Sequence, residues 1–319
     1  HSIYQESSGM RKFGVYTEIA LPKGVEESYR RFYPNPPGGL FYFYTGEAEL
    51  FEHARNFDIV VATIFTTVRV LKRLYEQAPH IVPAYYIQDY EPWIIKDPER
   101  QPELVQEARE SYTLIPDMVC FAKTDWICET VREHHGTKVH RVKPSLDRSV
   151  YHPGRINKAE TGPVHVVAMV RPSTPRRAPR QTMELLRTIQ RKHPDRVRIT
   201  IFGNDPADPE FLAMPRDFEF ENRGLLVREE VADLLGSADI FVDLSVYQAF
   251  GRTGLEAMAL GCATILPAKG GVYEYAQHRK NALIVDTSDA TEAVSALEEL
   301  ITNRPVSYTH LTLPTIYSV

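Results

Sequence analysis

The most constraining feature of this sequence is a regular alternation, in which short apolar runs are followed by longer segments whose apolar residues recur at helical spacing. Parallel strands joined by crossover helices produce this pattern, because a crossover between parallel strands is long enough to form a helix. The alternation therefore predicts an α/β protein with parallel sheets. In the first half it predicts strands near 13–20, 39–44, 58–62, 82–87, 118–122 and 138–142, and helices near 47–56, 66–77, 101–113 and 124–135.

The alternation is interrupted once and then restarts. Between Pro144 and Pro163 the sequence is polar and contains proline, as linkers do. A chain of 319 residues also has the length of two domains. We therefore expect an N-terminal α/β domain over residues 1–150 and a C-terminal one over residues 151–305. The elements predicted in the second are strands at 165–170, 197–203, 239–245 and 263–268, and helices over 180–193 and 228–238 and from about Thr253 and Ala290.

The two ends of the sequence depart from this pattern. The chain begins at His1 without an initiator methionine, so we expect further residues upstream and a first domain that is incomplete at its start. Residues 306–319 change character abruptly and resemble a translated sequencing adapter. We interpret them as a non-native tail without function, and the alternative is a native strand or tail.

Composition narrows the class of protein. A net charge of -5 gives no general cationic field for a phosphate backbone, so a nucleic-acid partner is not expected. Three scattered cysteines, Cys120, Cys128 and Cys262, suit neither a disulfide framework nor a four-cysteine zinc site. No stretch approaches the roughly 18 consecutive apolar residues of a membrane span. We expect a cytoplasmic protein, and peripheral association with the inner face of the membrane stays open.

The segment from Asp239 to Val285 contains the strongest functional pattern. An apolar strand runs into a glycine-bearing loop and then into a helix that carries Glu256. Ligands of open α/β sheets bind at the carboxyl ends of strands, where helix N-termini attract anions. The loop therefore predicts a phosphate site, and Glu256, one turn inside the helix, suits a hydroxyl ligand or simply satisfies the helix dipole. The residues of the loop are Phe250, Gly251, Arg252 and Thr253.

A cluster of arginines follows the strand at 165–170. Guanidinium groups form bidentate hydrogen bonds with phosphate oxygens, and this loop too lies at the carboxyl end of a strand. Arg171 and Arg176 are therefore candidate diphosphate ligands. For Arg177 and Arg180 we favour the alternative of a solvated surface.

Together these motifs resemble the donor half of a family-4 glycosyltransferase (glycosyl transferases group 1) with the GT-B fold. The Arg-x4-Lys pair of that family reads Arg171 and Arg176 here, and its Glu-x7-Glu motif reads Gln248 and Glu256, so the first acid is an amide. The family also has a glycine-rich turn followed by an Asn-Gly-Leu-like strand. These read Gly270, Gly271 and Glu274, followed by Asn281, Ala282 and Leu283.

The resemblance implies a fold and a reaction. It implies two Rossmann-like domains facing one another across a cleft, and retaining transfer of a sugar from a nucleotide-diphosphate donor to a glycan or lipid-linked acceptor. Arg171 and Arg176 would stabilise the leaving diphosphate, Glu256 would bind the ribose, and Gln248 would lie near the donor sugar. The donor is a substrate, and no separate cofactor is implied.

The first half resembles the family less closely. YYIQDYEPW, residues 85–93, is similar to a segment of bacterial rhamnosyltransferase-like enzymes of surface polysaccharide synthesis. Asp89 and Glu91 follow a predicted strand and are candidates for binding acceptor or donor hydroxyls. The alternative is a turn with two solvated acids.

Other chemistries find little support in the sequence. No Asp-x-Asp occurs, and His134, His135 and His140 lack a further ligand at metal spacing, so we expect a metal-independent enzyme. Two other functions stay open. One is a GT-B epimerase or phosphorylase, and the other is a catalytically idle nucleotide-sugar-binding scaffold, which the amide at Gln248 favours.

Overall fold

The computed structural model describes residues 2–303 and 317–318. The chain divides into two compact units, of which the first ends at Asp147 and the second begins at Arg148. The predicted tail lies outside the described residues except for Tyr317 and Ser318, which belong to the first unit. Within the described part, the helices are all too short or too polar to cross a membrane.

The first unit alternates strands and helices. Its strands are β1 (Ile19–Pro22), β2 (Phe41–Tyr44), β3 (Ile59–Ala62), β4 (Val82–Ile87), β5 (Val119–Ala122), β6 (Val139–Arg141) and β7 (Ser145–Leu146). Its helices are α1 (Ser2–Lys12), α2 (Glu26–Phe32), α3 (Glu47–Ala54), α4 (Phe65–Gln77), α5 (Pro102–Glu110) and α6 (Asp125–His135). β3, β4, β5 and β6 form a parallel sheet in that order, while β1 and β2 form a separate parallel pair.

The start of the first unit differs from the prediction. The strand expected over 13–20 begins only at Ile19, because α1 ends in a turn at Gly14, whose φ is +80°. The helix α1 was not predicted, since its sequence is polar and lacks an apolar stripe. Long-range polar contacts hold it instead, among them a hydrogen bond from Gln5 Nε2 to Ser145 Oγ (3.2 Å).

The second unit contains a six-stranded sheet. Its strands are β8 (Val164–Met169), β9 (Val197–Phe202), β10 (Glu221–Asn222), β11 (Ile240–Val242), β12 (Ala263–Pro267) and β13 (Leu283–Val285). Its helices are α7 (Pro179–Lys192), α8 (Pro209–Leu212), α9 (Arg228–Ser237), α10 (Arg252–Ala259) and α11 (Ala290–Thr302). A last strand, β14 (Tyr317–Ser318), pairs with β7 of the first unit.

The strand order of the second sheet is β10-β9-β8-β11-β12-β13, with every neighbouring pair parallel. Numbered within the unit, this is the 3-2-1-4-5-6 order of a Rossmann sheet. The central strands are buried on both faces and therefore have continuous apolar sequences, as in β8, where Val166 and Val167 are fully buried. The prediction of an α/β protein with parallel sheets is confirmed.

Candidate functional site

The strand order of the second unit reverses between β8 and β11. From β8 the chain crosses over to β9 on one side, and from β11 it crosses over to β12 on the other side. The two connections therefore diverge, and a crevice opens at the carboxyl ends of β8 and β11, next to Met169 and Val242. The arginine loop after β8 and the loop after β11 meet there, and the Val246 N–H donates to the Arg176 carbonyl oxygen (2.8 Å). The two strongest sequence patterns therefore lie side by side.

The arginines of the first loop have different surroundings. Arg171 has an exposed side chain, yet partial desolvation and then the like charge of Arg176 lower the pKa of its guanidinium. Arg176 lies over the Tyr247 ring, with its Cζ 5.5 Å from the ring centroid. Arg180 instead donates to the Ala213 carbonyl oxygen (2.8 Å) on the exposed surface. The pair Arg171 and Arg176 thus places two cations together at the crevice.

Two further cations approach this site. Arg177 is half-buried, with its Nε buried, and its charge acts on the Tyr275 hydroxyl, so this residue is only partly solvated. Lys269, which no sequence motif marks, lies with its Nζ 6.0 Å from the centroid of the Tyr247 ring. An anion at the crevice would meet cationic side chains from two loops.

The glycine loop after β11 is shaped by close packing. Gly251 has φ of +77° and precedes α10, and a Cβ there would lie 2.6 Å from the Tyr275 hydroxyl. That hydroxyl donates to the Gly251 carbonyl oxygen (2.7 Å), and the Phe250 ring packs edge-on against Tyr275. Arg252 and Thr253, both half-buried, form the first turn of α10, so its N-terminus opens at this loop.

Gln248 connects the two glycine segments. Its Nε2 donates to Asp243 Oδ2 (2.6 Å) and to Ser245 Oγ (3.1 Å), and its carbonyl oxygen accepts from the Gly271 N–H (2.7 Å). Gly270 has φ of +118°, and a Cβ there would lie 2.0 Å from the Gln248 carbonyl oxygen. Gln248 therefore links the loop after β11 to the turn at Gly270 and Gly271. Its side-chain amide is held by the carboxylate of Asp243, which directly follows β11.

Glu256 is buried in the first turns of α10, at 4% exposure. Its Oε1 has no hydrogen-bond partner among the described residues, while its carboxylate is hydrogen-bonded to Tyr151. Burial raises the pKa of Glu256 to about 7, although the charges of Arg252 and Arg228 and the Tyr151 hydrogen bond act to lower it. A buried acceptor without a donor is suited to a ligand hydroxyl.

Glu274 ends the short 3₁₀ turn Gly271–Glu274 and is half-buried. The turn is fixed by Asn281, whose Nδ2 donates to the Tyr275 carbonyl oxygen (3.1 Å) and whose Oδ1 accepts from the Gln277 N–H (2.7 Å). The asparagine that matches the family motif thus holds this turn in place.

In the first unit, Asp89 and Glu91 are buried, at 8% and 3% exposure, so the alternative of two solvated acids is wrong. Asp89 Oδ1 accepts from the Tyr90 N–H (2.9 Å). Glu91 Oε2 accepts from the Phe65 N–H (2.5 Å) and from the Tyr85 hydroxyl (2.7 Å). Phe65 is the first residue of α4, so Glu91 caps that helix.

The burial of Glu91 predicts a pH-dependent stability. Desolvation raises its pKa to about 7 from 4.5, despite the hydrogen bonds from Tyr85 and Phe65. The folded state then binds the proton more tightly than the unfolded state. The contribution of Glu91 to stability is therefore largest below about pH 4.5 and is lost as the pH rises through 7. The loss is on the order of 3 kcal/mol for this group.

Glu91→Gln cannot titrate and should therefore become more stable relative to the parent as the pH rises from 5 to 8. Thermal unfolding of both proteins at the two pH values measures this change. Glu256 also titrates near pH 7, but it is present in both proteins, so its effect cancels in the comparison. A difference in melting temperature between variant and parent that is the same at pH 5 and pH 8 would contradict the assignment.

The sequence of the second unit is similar to that of a known protein family. Residues 165–303 match the family model of the glycosyl transferases group 1. Alpha-maltose-1-phosphate synthase of Mycolicibacterium smegmatis is 24% identical over 246 residues, which are 68% of this chain and 61% of that protein. GDP-mannose-dependent alpha-mannosyltransferase of Corynebacterium glutamicum is 26% identical over 179 residues, 54% of this chain and 41% of that protein. The chain spans less than two thirds of the length of the curated relatives it matches.

Solved structures address the fold. Sucrose-phosphate synthase from Thermosynechococcus elongatus superposes with a TM-score of 0.72 at 15% identity, covering 97% of this chain and 86% of that one. Anabaena HepE in complex with UDP-glucose gives a TM-score of 0.70 at 14% identity, covering 92% and 84%. These likenesses confirm the GT-B fold with its two Rossmann-like units. On this fold, residues 165–303 of the second unit carry the sequence signature of the glycosyl transferases group 1.

Proposed function

We propose that the protein is a retaining glycosyltransferase that uses a nucleotide-diphosphate sugar. The observation that carries the proposal is the crevice between β8 and β11, where cationic side chains, a helix N-terminus and an unpaired buried carboxylate oxygen occur together. Each of these groups suits one part of a nucleoside diphosphate: cations and helix N–H groups the phosphates, and a carboxylate the ribose hydroxyls. HepE, a structural neighbour, is described in complex with UDP-glucose.

In this proposal the protein acts mainly by stabilising charge. Negative charge accumulates on the diphosphate as its bond to the sugar breaks, and Arg171 and Arg176 together with the N-terminus of α10 would stabilise it. Phe250, Gly251, Arg252 and Thr253 would shape the phosphate site, with Gly270, Gly271 and Glu274 close to the sugar. The acceptor hydroxyl attacks from the face that the diphosphate leaves, and a phosphate oxygen of the leaving group takes the proton of that hydroxyl.

The binding site for the acceptor is proposed to lie in the first unit. Asp89 and Glu91 lie after β4 of the first unit, where a parallel sheet offers ligand positions. Both carboxylates already accept hydrogen bonds within the unit, Asp89 from the Tyr90 N–H and Glu91 from the Phe65 N–H and the Tyr85 hydroxyl. A glycan or lipid-linked acceptor, a role in surface polysaccharide synthesis, and a cytoplasmic location at the inner membrane face remain predictions from the sequence.

Incubation with UDP-, GDP-, ADP- and dTDP-linked sugars and mixed glycan acceptors tests the proposal. We expect release of the nucleoside diphosphate with at least one donor, and a product whose anomeric configuration, read by NMR, matches the donor. Sugar isomerisation without an acceptor would favour the epimerase alternative. Nucleotide binding without release from any donor would favour the scaffold alternative, in which the amide of Gln248 replaces a sugar-side acid.

We predict that transfer survives a chelator. Arginine side chains supply the positive charge that a bridging metal provides in metal-dependent transferases, so removing divalent cations should leave the rate unchanged within about twofold. The measurement is nucleoside diphosphate release in the presence and absence of excess EDTA. Loss of release that magnesium or manganese restores would show that the diphosphate needs a metal.

A further inference from the structure

Another polar group without a hydrogen-bond partner among the described residues lies just after the carboxyl end of β9. Asn204 is 2% exposed, and its Nδ2 has no hydrogen-bond partner among the described residues. Burying an amide N–H donor without an acceptor costs about 1–3 kcal/mol. Such a group is therefore a candidate for contact with a ligand.

The orientation of this amide is fixed by a chain of hydrogen bonds that begins at the backbone. The Gly224 N–H donates to Asn222 Oδ1 (2.9 Å), so Asn222 must direct its Nδ2 toward Asn204. That Nδ2 donates to Asn204 Oδ1 (2.8 Å). Since the oxygen of Asn204 is engaged, its Nδ2 is the group left to donate.

Asn204 lies at the same carboxyl edge of the sheet as the arginine loop. The preceding residue, Gly203, has φ of +92°, and a Cβ there would lie 2.9 Å from Met169 Cγ and 3.5 Å from the Val170 carbonyl oxygen. Val170 is followed directly by Arg171. Asn204 therefore follows the strand next to β8, on the side of β8 opposite to β11.

The loop between β10 and α9, residues 223–227, connects Asn204 with the ribose position. At one end of the loop, Gly224 accepts through its carbonyl oxygen from the Gly203 N–H (2.8 Å). At the other end, Arg228 lies close enough to act on the charge of Glu256. Between them Leu225 is 57% exposed and offers apolar surface. A nucleoside whose ribose lies at Glu256 and whose diphosphate lies at α10 would extend its base toward this loop.

We propose that Asn204 selects the base of the donor, an inference that rests on the proposed function. Its Nδ2 donates to the exocyclic carbonyl oxygen of uracil (O4) or guanine (O6). Cytosine and adenine carry an amino group at the corresponding position, and an amino group facing the Nδ2 donor would leave both donors unpaired. The donor class is therefore a uridine, thymidine or guanosine diphosphate sugar, as opposed to a cytidine or adenosine one.

Calorimetric titration with two matched pairs, UDP against CDP and GDP against ADP, tests this inference. The parent should bind UDP or GDP more tightly than its amino counterpart by at least about tenfold. Asn204→Asp keeps an oxygen for Asn222 and replaces the Nδ2 donor by an acceptor, so the preference should disappear or reverse. Gln277→Glu makes the same amide-to-carboxylate change at an exposed position of the unit and should leave the preference unchanged.

A second variant removes the Nδ2 donor from the ligand without a substitution at Asn204. In Asn222→Asp, Asn204 must turn its amide to donate to the new carboxylate and so presents its oxygen, which should also abolish the preference. If both variants have the same UDP:CDP and GDP:ADP affinity ratios as the parent, Asn204 does not select the base. That result would leave the proposed function intact. A parent that binds none of the four nucleotides would overturn the proposed function, and this inference with it.

Discussion

Arg176→Ala should weaken nucleoside diphosphate binding by roughly 10- to 150-fold, because each charge-assisted hydrogen bond lost to a phosphate costs about 1.5–3 kcal/mol. The truncation keeps the backbone contact to Val246, which involves only the carbonyl oxygen of residue 176. Isothermal titration of the tightest-binding nucleotide measures the change. The melting temperature should stay close to that of the parent, since the half-buried side chain is not part of the core.

Two further variants control this prediction. Arg180→Ala removes an arginine of the same loop that donates to the Ala213 carbonyl oxygen, so its nucleotide affinity should equal that of the parent. Arg176→Lys keeps the charge, and lysine is the residue of the family pattern at this position, so most of the affinity should remain. Equal losses in Arg176→Ala and Arg180→Ala would show that the loop contributes only general positive charge.

Glu256→Gln should produce a more stable protein that binds nucleotide poorly. At pH 8 the carboxylate of Glu256 is ionised. Because burial raises its pKa to about 7, ionisation of this group lowers the free energy of unfolding. The neutral amide removes a destabilisation on the order of 3 kcal/mol. Losing the ionised acceptor should weaken ribose binding by at least about tenfold. A carboxylate that only satisfied the dipole of α10 would behave differently, since its replacement would lower stability slightly and leave binding unchanged.

The same residue predicts a pH dependence of binding in the parent. A raised pKa means that a growing fraction of Glu256 is protonated below pH 7, and the protonated form is a weaker acceptor. Nucleotide affinity should therefore rise by about tenfold between pH 6 and pH 8, provided that the ionised form binds. Titration calorimetry of the parent and of Glu256→Gln across this range checks the assignment. A parallel pH dependence in the variant would assign the effect to another group.

The sequence predicts the parts of this molecule that depend on local pattern. Strands buried on both faces give apolar runs, and the crossover helix α7 gives a clear apolar stripe, in which Met183, Leu186 and Ile189 are fully buried. The glycine motifs predict the loops around Gly251 and Gly270, because only glycine fits a positive φ with backbone or side-chain atoms this close.

The remaining features depend on partners that are distant in sequence. Tyr151, from the predicted linker, hydrogen-bonds Glu256 more than a hundred residues away, and no local pattern indicates this. Glu91 reads as a surface acid after a strand, yet its partners at Phe65 and Tyr85 bury it. Polar residues acquire their roles from tertiary contacts, which hydrophobic periodicity does not encode.

The central claim is that the crevice between β8 and β11 binds a nucleoside diphosphate. Calorimetric titration of the parent, Arg176→Ala and Glu256→Gln with UDP, GDP, ADP and CDP tests it most directly. We expect one-to-one binding of at least one nucleotide by the parent, and at least about tenfold weaker binding by each variant, with both variants folded. Binding with equal affinity by all three proteins, or no binding by the parent at millimolar nucleotide, would contradict it.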